Sequence, residues 1–232
     1  MTISLVSTVQ TSEGSPATHS AITGIATGDL YIDLAHNTGG GTAPALDATS
    51  TFTSIDSGTD WAGRTYAYGY RKRTGSEGTL SATGAGTLVD IFFGLTGVDA
   101  TTQVESVQTA NAIGTTYTVS ASTPTANNCW HVLVISDTNS DATSIPTPPT
   151  GYTQLATYKK TAQGTLWAFY KDLGGSSSGV STGSVTVTFS GGSAGGQAVG
   201  FIVRAAGGGG GATISTITGT TVTEASAVVF TV

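Results

Sequence analysis

Short runs of apolar residues, separated by turns rich in Gly, Ser, Thr and Asn, recur along the whole chain. Several runs alternate apolar with polar positions, which is the period of a β-strand whose two faces meet different environments. No convincing helical period lies between them. The pattern predicts five or six strands in each half of the chain. The predicted strands are 5–11, 29–36, 52–55, 65–71, 79–83 and 88–95, then 104–109, 129–136, 152–155, 165–171, 184–190 and 198–203.

The second half of the chain repeats the pattern of the first. The aromatic run TYAYGYR at 65–71 returns as TLWAFYK at 165–171, and Val-Gln-Thr at 9–11 returns at 107–109, an offset of 98. Short connections between the runs favour antiparallel pairing. We therefore predict an all-β protein made of two tandem antiparallel β-sandwich or jelly-roll-like domains that arose by internal duplication. The predicted boundaries are 1–103 and 104–206, followed by a Gly-rich linker and a β-prone arm at 207–232.

Alternation along the aromatic strands separates their two faces. The tyrosines of 65–71 share one face, which we expect to pack on the core, and the face that ends in Arg71 or Lys171 is expected to point toward solvent. Trp167 and Phe169 then lie on the outward face. Large outward apolar groups indicate a covered surface. The cover is either an interface with the sister domain or a neighbouring subunit, or another strand or loop of the same domain.

The C-terminal segment begins with five glycines at 207–211, which predict a flexible joint. Beyond it, the tail is rich in β-branched residues. This pattern predicts either a terminal strand that returns to the sandwich or an arm that pairs with the edge of another chain. A truncated third repeat is a further alternative. The predicted interface residues of this arm are Ile214, Ile217, Val228, Val229 and Phe230.

Composition narrows the classes of function. Charged residues make up only 9% of the chain, the net charge is −6 and the pI is near 4.7, which argues against a nucleic-acid partner. No run approaches the roughly 20 apolar residues that cross a bilayer, and the first residues lack the features of a secretory signal. We therefore expect a protein made in the cytoplasm with no membrane partner. Cys129 is the only cysteine, so no internal disulfide forms, and we expect it to be a buried small hydrophobe.

Two stretches were considered as metal sites. Asp29 and Asp33 stand four residues apart on one predicted strand, roughly 13 Å, so they cannot share an ion. Together with His36 they are interpreted as polar outward positions. The run 137–141 has the oxygen spacing of a calcium loop, but alanine at 142 and proline at 148 depart from that pattern, so an Asx-rich turn is preferred and calcium stays an alternative.

No catalytic signature is apparent, and we predict neither an enzyme nor a cofactor. The only histidines are His19, His36 and His131. A hydrolase would need one of them beside an acid and an exposed nucleophile. Trp61, with Arg64 in the same loop, could stack on a sugar, and packing at the rim of the domain is the alternative interpretation.

The order of local motifs resembles a known class of module. Gly-Asp-Leu at 28–30, Pro-Pro-Thr-Gly-Tyr-Thr at 148–153, an aromatic strand ending in Tyr-Lys, a Thr-Val-Thr strand and a final apolar strand are similar to the β-sandwich modules of virion proteins from tailed bacteriophages. The resemblance covers roughly 20–100 and 120–206. The first copy departs from it, with Ser-Thr-Phe-Thr at 50–53 where the second has Gly-Tyr-Thr.

The resemblance implies a non-enzymatic structural role in a phage particle. The first expectation is a capsid decoration or accessory head protein that binds other virion subunits and copies of itself. The alternative is a receptor- or glycan-binding module of a tail fibre or spike, with Trp61 and Arg64 as contacts. A bacterial surface adhesin is a third alternative, which the missing export signal disfavours. The expected location is the virion.

Overall fold

The computed structural model describes residues 1–6, 9–47, 51–75, 78–137, 146–160, 164–189 and 195–207. These residues form an all-β protein of antiparallel sheets, as the alternating pattern predicted. No helix occurs among them, so none that could span a membrane is present in this part of the chain. The strands are β1 (Ser4–Leu5), β2 (Gln10–Gly14), β3 (Ala17–His19), β4 (Leu30–Asn37), β5 (Ala45–Leu46), β6 (Thr53–Thr59), β7 (Thr65–Lys72), β8 (Leu80–Thr83), β9 (Leu88–Thr96), β10 (Val104–Ala112), β11 (Thr116–Val119), β12 (Trp130–Asp137), β13 (Thr153–Lys160), β14 (Gly164–Asp172), β15 (Val185–Thr188) and β16 (Gly196–Val203).

Each half of the chain contributes one large sheet. The first large sheet has the order β1-β9-β4-β7-β6, and β2 also pairs with β9. The second large sheet has the order β10-β16-β12-β14-β13. Corresponding strands of the two halves therefore take corresponding places. The register also shifts at matching points, between Ser54 and Asp56 in the first half and between Gln154 and Ala156 in the second.

The two large sheets pack face to face and bury a shared core. Alternate residues of the central strands point into it. Its fully buried members include Leu30, Ile32, Leu34, Ile91, Phe93, Val132, Val134, Val199, Phe201 and Val203. Because both halves supply these side chains, the apolar surface of one large sheet is covered by the other.

Two small sheets cover the outer faces of the large ones. The first small sheet, β3-β8-β5, lies on the first large sheet, and the second small sheet, β11-β15, lies on the second. The result is four layers, with the large sheets in the middle. Every residue of β4, β12 and β16 is buried as a consequence, because each of these strands is covered on both faces.

Two sequence predictions concern the outer faces. Trp167 and Phe169 do point away from the shared core, and they pack against Tyr117 and Val187 of the second small sheet. The same-domain alternative therefore describes their surroundings, and at 2% and 0% exposure they have no surface left for a neighbouring subunit. The prediction that Arg71 faces solvent is wrong. Its side chain is buried, with the guanidinium carbon 5.4 Å from the ring centre of an outer-face aromatic residue.

A short connection joins the halves at Gly97. Val98 forms a bridge with Ala205, and the backbone N–H of Ala206 donates to the carbonyl oxygen of Gly97 at 2.7 Å. Gly97 has φ +75°, and a Cβ at this position would collide with the carbonyl oxygen of Thr2. This glycine is therefore required for both backbone conformation and space.

We expect Gly97→Ala to lower the free energy of unfolding by about 3 kcal/mol, because it adds a backbone collision to the cost of a left-handed alanine. Gly174→Ala is the matched control. Its φ is +73°, and no atom lies within 4 Å of the added Cβ, so its cost should be only about 1 kcal/mol. Chemical denaturation of both variants measures the difference. Equal losses would show that the collision near Thr2 relaxes freely.

Candidate functional site

Three ionisable side chains meet in the interior of the first half, between its large and small sheets. They are His19 on β3, Asp33 on β4 and Asp90 on β9, here called the polar cluster. Their exposures are 2%, 1% and 0%. Charged groups are rarely buried so completely without strong partners, so the polar cluster is the first place to look for function.

The register of the sheets brings the cluster together. Asp33 lies opposite Phe92 on β9, two residues from Asp90, and both carboxylates point to the outer face of the first large sheet. His19 reaches down from the first small sheet, and its ring stacks on Phe92 with centres 5.2 Å apart. Residues that are far apart in sequence thus converge because three strands from two layers cross at this point.

The cluster has few hydrogen-bond donors for its oxygens. His19 Nε2 lies 3.1 Å from Asp90 Oδ1, but neither ring nitrogen makes a well-directed hydrogen bond. Both oxygens of Asp90 and Oδ1 of Asp33 also lack a donor among the described residues. Asp33 is the other direct neighbour of Asp90, and two carboxyl groups can bond to each other only through a shared proton.

Burial and mutual repulsion change the protonation of the cluster. Burial raises the pKa of Asp90 to about 7. Burial, reinforced by the charge of Asp90, raises the pKa of Asp33 well above its ordinary value. Burial also lowers the pKa of His19, and this effect is larger than the opposing attraction of Asp33. All three shifts favour the uncharged form of the side chain concerned.

The second half has apolar residues at the three matching positions of the same layer. The residues that match the cluster by strand order and register are Val119, Leu133 and Ala198. All three are fully buried in one apolar cluster. The architecture itself therefore does not need ionisable side chains at these positions.

The prediction that Asp33 and His36 are outward polar positions is wrong. Both are buried because both faces of β4 are covered, and they lie on opposite faces of that strand. The prediction compared Asp33 only with neighbours along its own strand, whereas its partners come from β3 and β9.

His36 and Asp60 form a second buried pair, separate from the polar cluster. Nε2 of His36 lies 3.2 Å from Oδ2 of Asp60, and Oδ1 of Asp60 accepts the backbone N–H of Arg64 at 2.8 Å. The pair therefore anchors the turn that carries the predicted sugar contacts Trp61 and Arg64. Trp61 is 51% exposed, and its ring lies over Gly195 of the second half, where an added Cβ would come within 2.6 Å. This residue is thus both partly packed and partly available.

A surface cleft of about 500 Å³ lies beside the second small sheet and was missed by sequence analysis. It is lined by the loop 147–150, Tyr152, Lys171 and the hydroxyl-bearing residues Thr186 and Thr188. The ammonium nitrogen of Lys171 lies 5.9 Å from the ring centre of Tyr152. The Pro-Pro-Thr-Gly-Tyr-Thr motif was the available signal, because this motif forms one wall of the cleft.

His131 lies beneath this cleft and hydrogen-bonds through Nδ1 to the hydroxyl of Tyr152. Burial, with a further contribution from the positive charge of Lys171, lowers the pKa of His131 to about 4. Between this value and its ordinary value of about 6.5, the unfolded chain binds a proton that the folded protein does not. His131 therefore makes the protein less stable as the pH falls through this window.

We expect His131→Phe to make the free energy of unfolding less dependent on pH between about pH 4 and pH 6.5. At about 1.4 kcal/mol for each pKa unit, the histidine accounts for a loss of roughly 3 kcal/mol between pH 6.5 and pH 4. Urea denaturation of the parent and the variant across this range measures it, since all other groups cancel in the difference. Parallel stability curves for the two proteins would show that His131 protonates equally well in the folded state.

Contrary to the expectation that no catalytic signature is present, one serine has the local spacing of a hydrolase nucleophile, Gly-x-Ser-x-Gly at 175–179. The loop connects two strands rather than a strand and a helix. The Ser177 hydroxyl is buried and hydrogen-bonds the carbonyl oxygens of Gly174 at 2.9 Å and Ala126 at 3.2 Å. These contacts tie the loop to its neighbour, and they give this serine a structural role. Cys129 is buried, as predicted.

Some predicted sites lie outside the described residues. These are most of the calcium-like loop, at 138–145, and the interface residues of the arm, Ile214, Ile217, Val228, Val229 and Phe230. Comparison of the chain with protein-family models, with curated proteins and with solved structures found no match.

Proposed function

We propose that this protein is a non-enzymatic structural subunit of a tailed-phage virion, acting as a capsid decoration or accessory head protein that binds other virion subunits. The observation that most supports this proposal is the hydrophobic core shared by the two large sheets. It makes one thick, rigid body from two halves, which suits a part that must keep its shape on a particle. The low content of charged side chains, 9%, and the sequence resemblance to virion modules support the same role.

The proposed architecture is an internal duplication of a jelly-roll-like domain, at 1–103 and 104–206, with a linker and arm at 207–232. Matching strand order and matching register shifts support it. So does a repeated contact on the outer faces, where a cation lies over an aromatic ring. Arg71 lies over Phe52 in the first half, and Lys171 lies over Tyr152 at the same places in the second.

Contacts with other copies and with neighbouring virion proteins are proposed to use the sheet edges and the arm. β6 and β13 end the two large sheets and leave backbone groups free on one side. A segment rich in β-branched residues, such as 212–232, can add as a strand to such an edge on a neighbouring copy. In this proposal the arm, rather than Trp167 or Phe169, supplies the apolar contacts between subunits.

The alternative is a receptor- or glycan-binding module of a tail fibre or spike. One specific observation favours it, namely the cleft that Tyr152 lines together with threonine hydroxyls. An aromatic ring can stack on the apolar face of a sugar while hydroxyls bond its polar edge, and Trp61 with Arg64 offers a second such surface.

Cryo-electron microscopy of particles from a lysate that contains this protein tests the two proposals. Density in many symmetric copies on the capsid lattice would support decoration and show which chain the arm contacts. Density confined to the tail tip or fibres would overturn decoration and support the alternative, which a glycan array with Tyr152→Ala and Trp61→Ala variants would then examine. Absence from every particle would overturn both.

A further inference from the structure

We propose that His19, Asp33 and Asp90 form a binding site for one divalent transition-metal ion, which fastens the first small sheet to the first large sheet. This site is independent of the proposed virion role. It rests on the geometry, burial and ligand chemistry of the three side chains and on their contrast with the second half.

The geometry suits a single ion. One ligand atom from each residue lies within 4.8 Å of the others, and His19 Nε2 and Asp90 Oδ1 are 3.1 Å apart. Bonds of about 2.0–2.2 Å from one zinc ion place neighbouring ligand atoms roughly 3.4 Å apart in a tetrahedral arrangement. Small side-chain rotations are therefore enough to bring all three atoms into the coordination sphere.

The ligand chemistry selects the class of ion. One imidazole nitrogen with two carboxylate oxygens suits Zn²⁺ and its first-row neighbours, whereas Ca²⁺ and Mg²⁺ prefer sites made of oxygen alone. A divalent ion also cancels the charge of two carboxylates, so the complete site is neutral and can stay buried.

The unpartnered atoms point to a ligand rather than to a simple polar contact. His19 and Asp90 are almost completely buried, yet neither ring nitrogen makes a directed hydrogen bond, and the donor within reach of Asp90 is a proton shared with Asp33. Groups left in this state are costly. One cation satisfies the imidazole lone pair and both carboxylates at once, which no single hydrogen bond can do.

The second half provides the internal control. It forms the same two-layer arrangement with Val119, Leu133 and Ala198 in these positions. Since packing alone accepts apolar residues there, the three ionisable groups of the first half serve a purpose beyond packing. A metal ion that joins β3 to β4 and β9 would serve this purpose, because β3 has three residues and, among the described strands, pairs only with β8.

The test uses the full chain, stripped with a chelator and then titrated with Zn²⁺ alone, with Co²⁺ as a spectroscopic substitute and Mg²⁺ as a control ion. We expect one Zn²⁺ per chain by elemental analysis and visible absorption bands from bound Co²⁺. Saturating Zn²⁺, at about 100 times Kd, should raise Tm by roughly 5 to 10 °C. Mg²⁺ should have little effect.

Three variants make the test specific. The triple variant His19→Val, Asp33→Leu, Asp90→Ala copies the second half and should lose both the bound Zn²⁺ and the Tm shift. Asp33→Asn changes one ligand with little change in shape and should weaken Zn²⁺ binding at least tenfold. His131→Phe removes a buried histidine outside the cluster and should bind Zn²⁺ like the parent.

The proposal is overturned if the parent binds less than about a tenth of an equivalent of Zn²⁺ and of Co²⁺, with no change in Tm. It is also overturned if Asp33→Asn and the triple variant bind as the parent does. Should the triple variant not fold, the parent's stoichiometry and the Asp33→Asn titration decide the question by themselves.

Discussion

Replacing Phe93 by alanine is expected to lower the free energy of unfolding by about 3 to 5 kcal/mol and to weaken both halves of the molecule together. Phe93 lies on β9 of the first half, is fully buried, and belongs to the shared core that strands of the second half complete. A cavity at this position removes contacts from both large sheets. The tryptophans of the second half should therefore report the damage made in the first.

The measurement follows tryptophan fluorescence during chemical denaturation in a Trp61→Phe background. The remaining tryptophans, Trp130 and Trp167, both lie buried in the second half. Phe52→Ala is the control, since Phe52 is only partly buried and lies on the outer side of the first large sheet, so it should cost less than half as much. An unchanged fluorescence midpoint in Phe93→Ala, with a separate loss of first-half structure, would mean that the halves unfold independently.

Much of the strand pattern could be read from the sequence because strands leave a local signal. The apolar run 29–36 became β4, and the aromatic runs became β7 and β14 within about one residue. The faces were harder to assign. Arg71 is a charged residue at the end of a strand, so its face was predicted to be exposed to solvent. A second layer covers that face, and the alternation of residues within one strand does not show whether another layer packs on it.

The polar cluster could not be predicted for a related reason. His19 lies on β3, a strand of three residues between turns, which is too short to give a period. Its partners come from strands 14 and 71 residues later in the chain, taking Asp33 and Asp90 as the reference points. Only the pairing of β4 with β9, and the crossing of β3 above them, shows that they meet.

The comparison between halves suggested by the repeated sequence is more informative once both layers are seen. In the second half one apolar cluster fills the three matching positions and His131 lies beside it, whereas in the first half two apolar groups lie on either side of the polar cluster. The two halves keep the same strand pairing but differ at these three positions, which are ionisable in the first half and apolar in the second. Exchanging the residues between the halves therefore measures the energetic effect of the side chains alone.

In a chelator, the triple variant His19→Val, Asp33→Leu, Asp90→Ala is expected to be more stable than the parent by about 1 to 4 kcal/mol. The parent must bury an imidazole and two carboxyl groups with few hydrogen bonds, whereas the variant buries the side-chain types that the second half already accommodates. Urea denaturation of both proteins in the presence of chelator measures the difference.

The reciprocal substitution is the control for this prediction. Leu133→Asp places one carboxylate at the position that matches Asp33, without a second carboxyl group beside it, and the nearest imidazole on that face, His131, already bonds through Nδ1 to Tyr152. Its cost should be at least about 3 kcal/mol, because a buried charge is introduced without hydrogen-bond donors placed to receive it. If the triple variant proved less stable than the chelated parent, the shared proton and the His19 contact would be stabilising by themselves. The polar cluster would then be part of the folding core of the first half even without an ion.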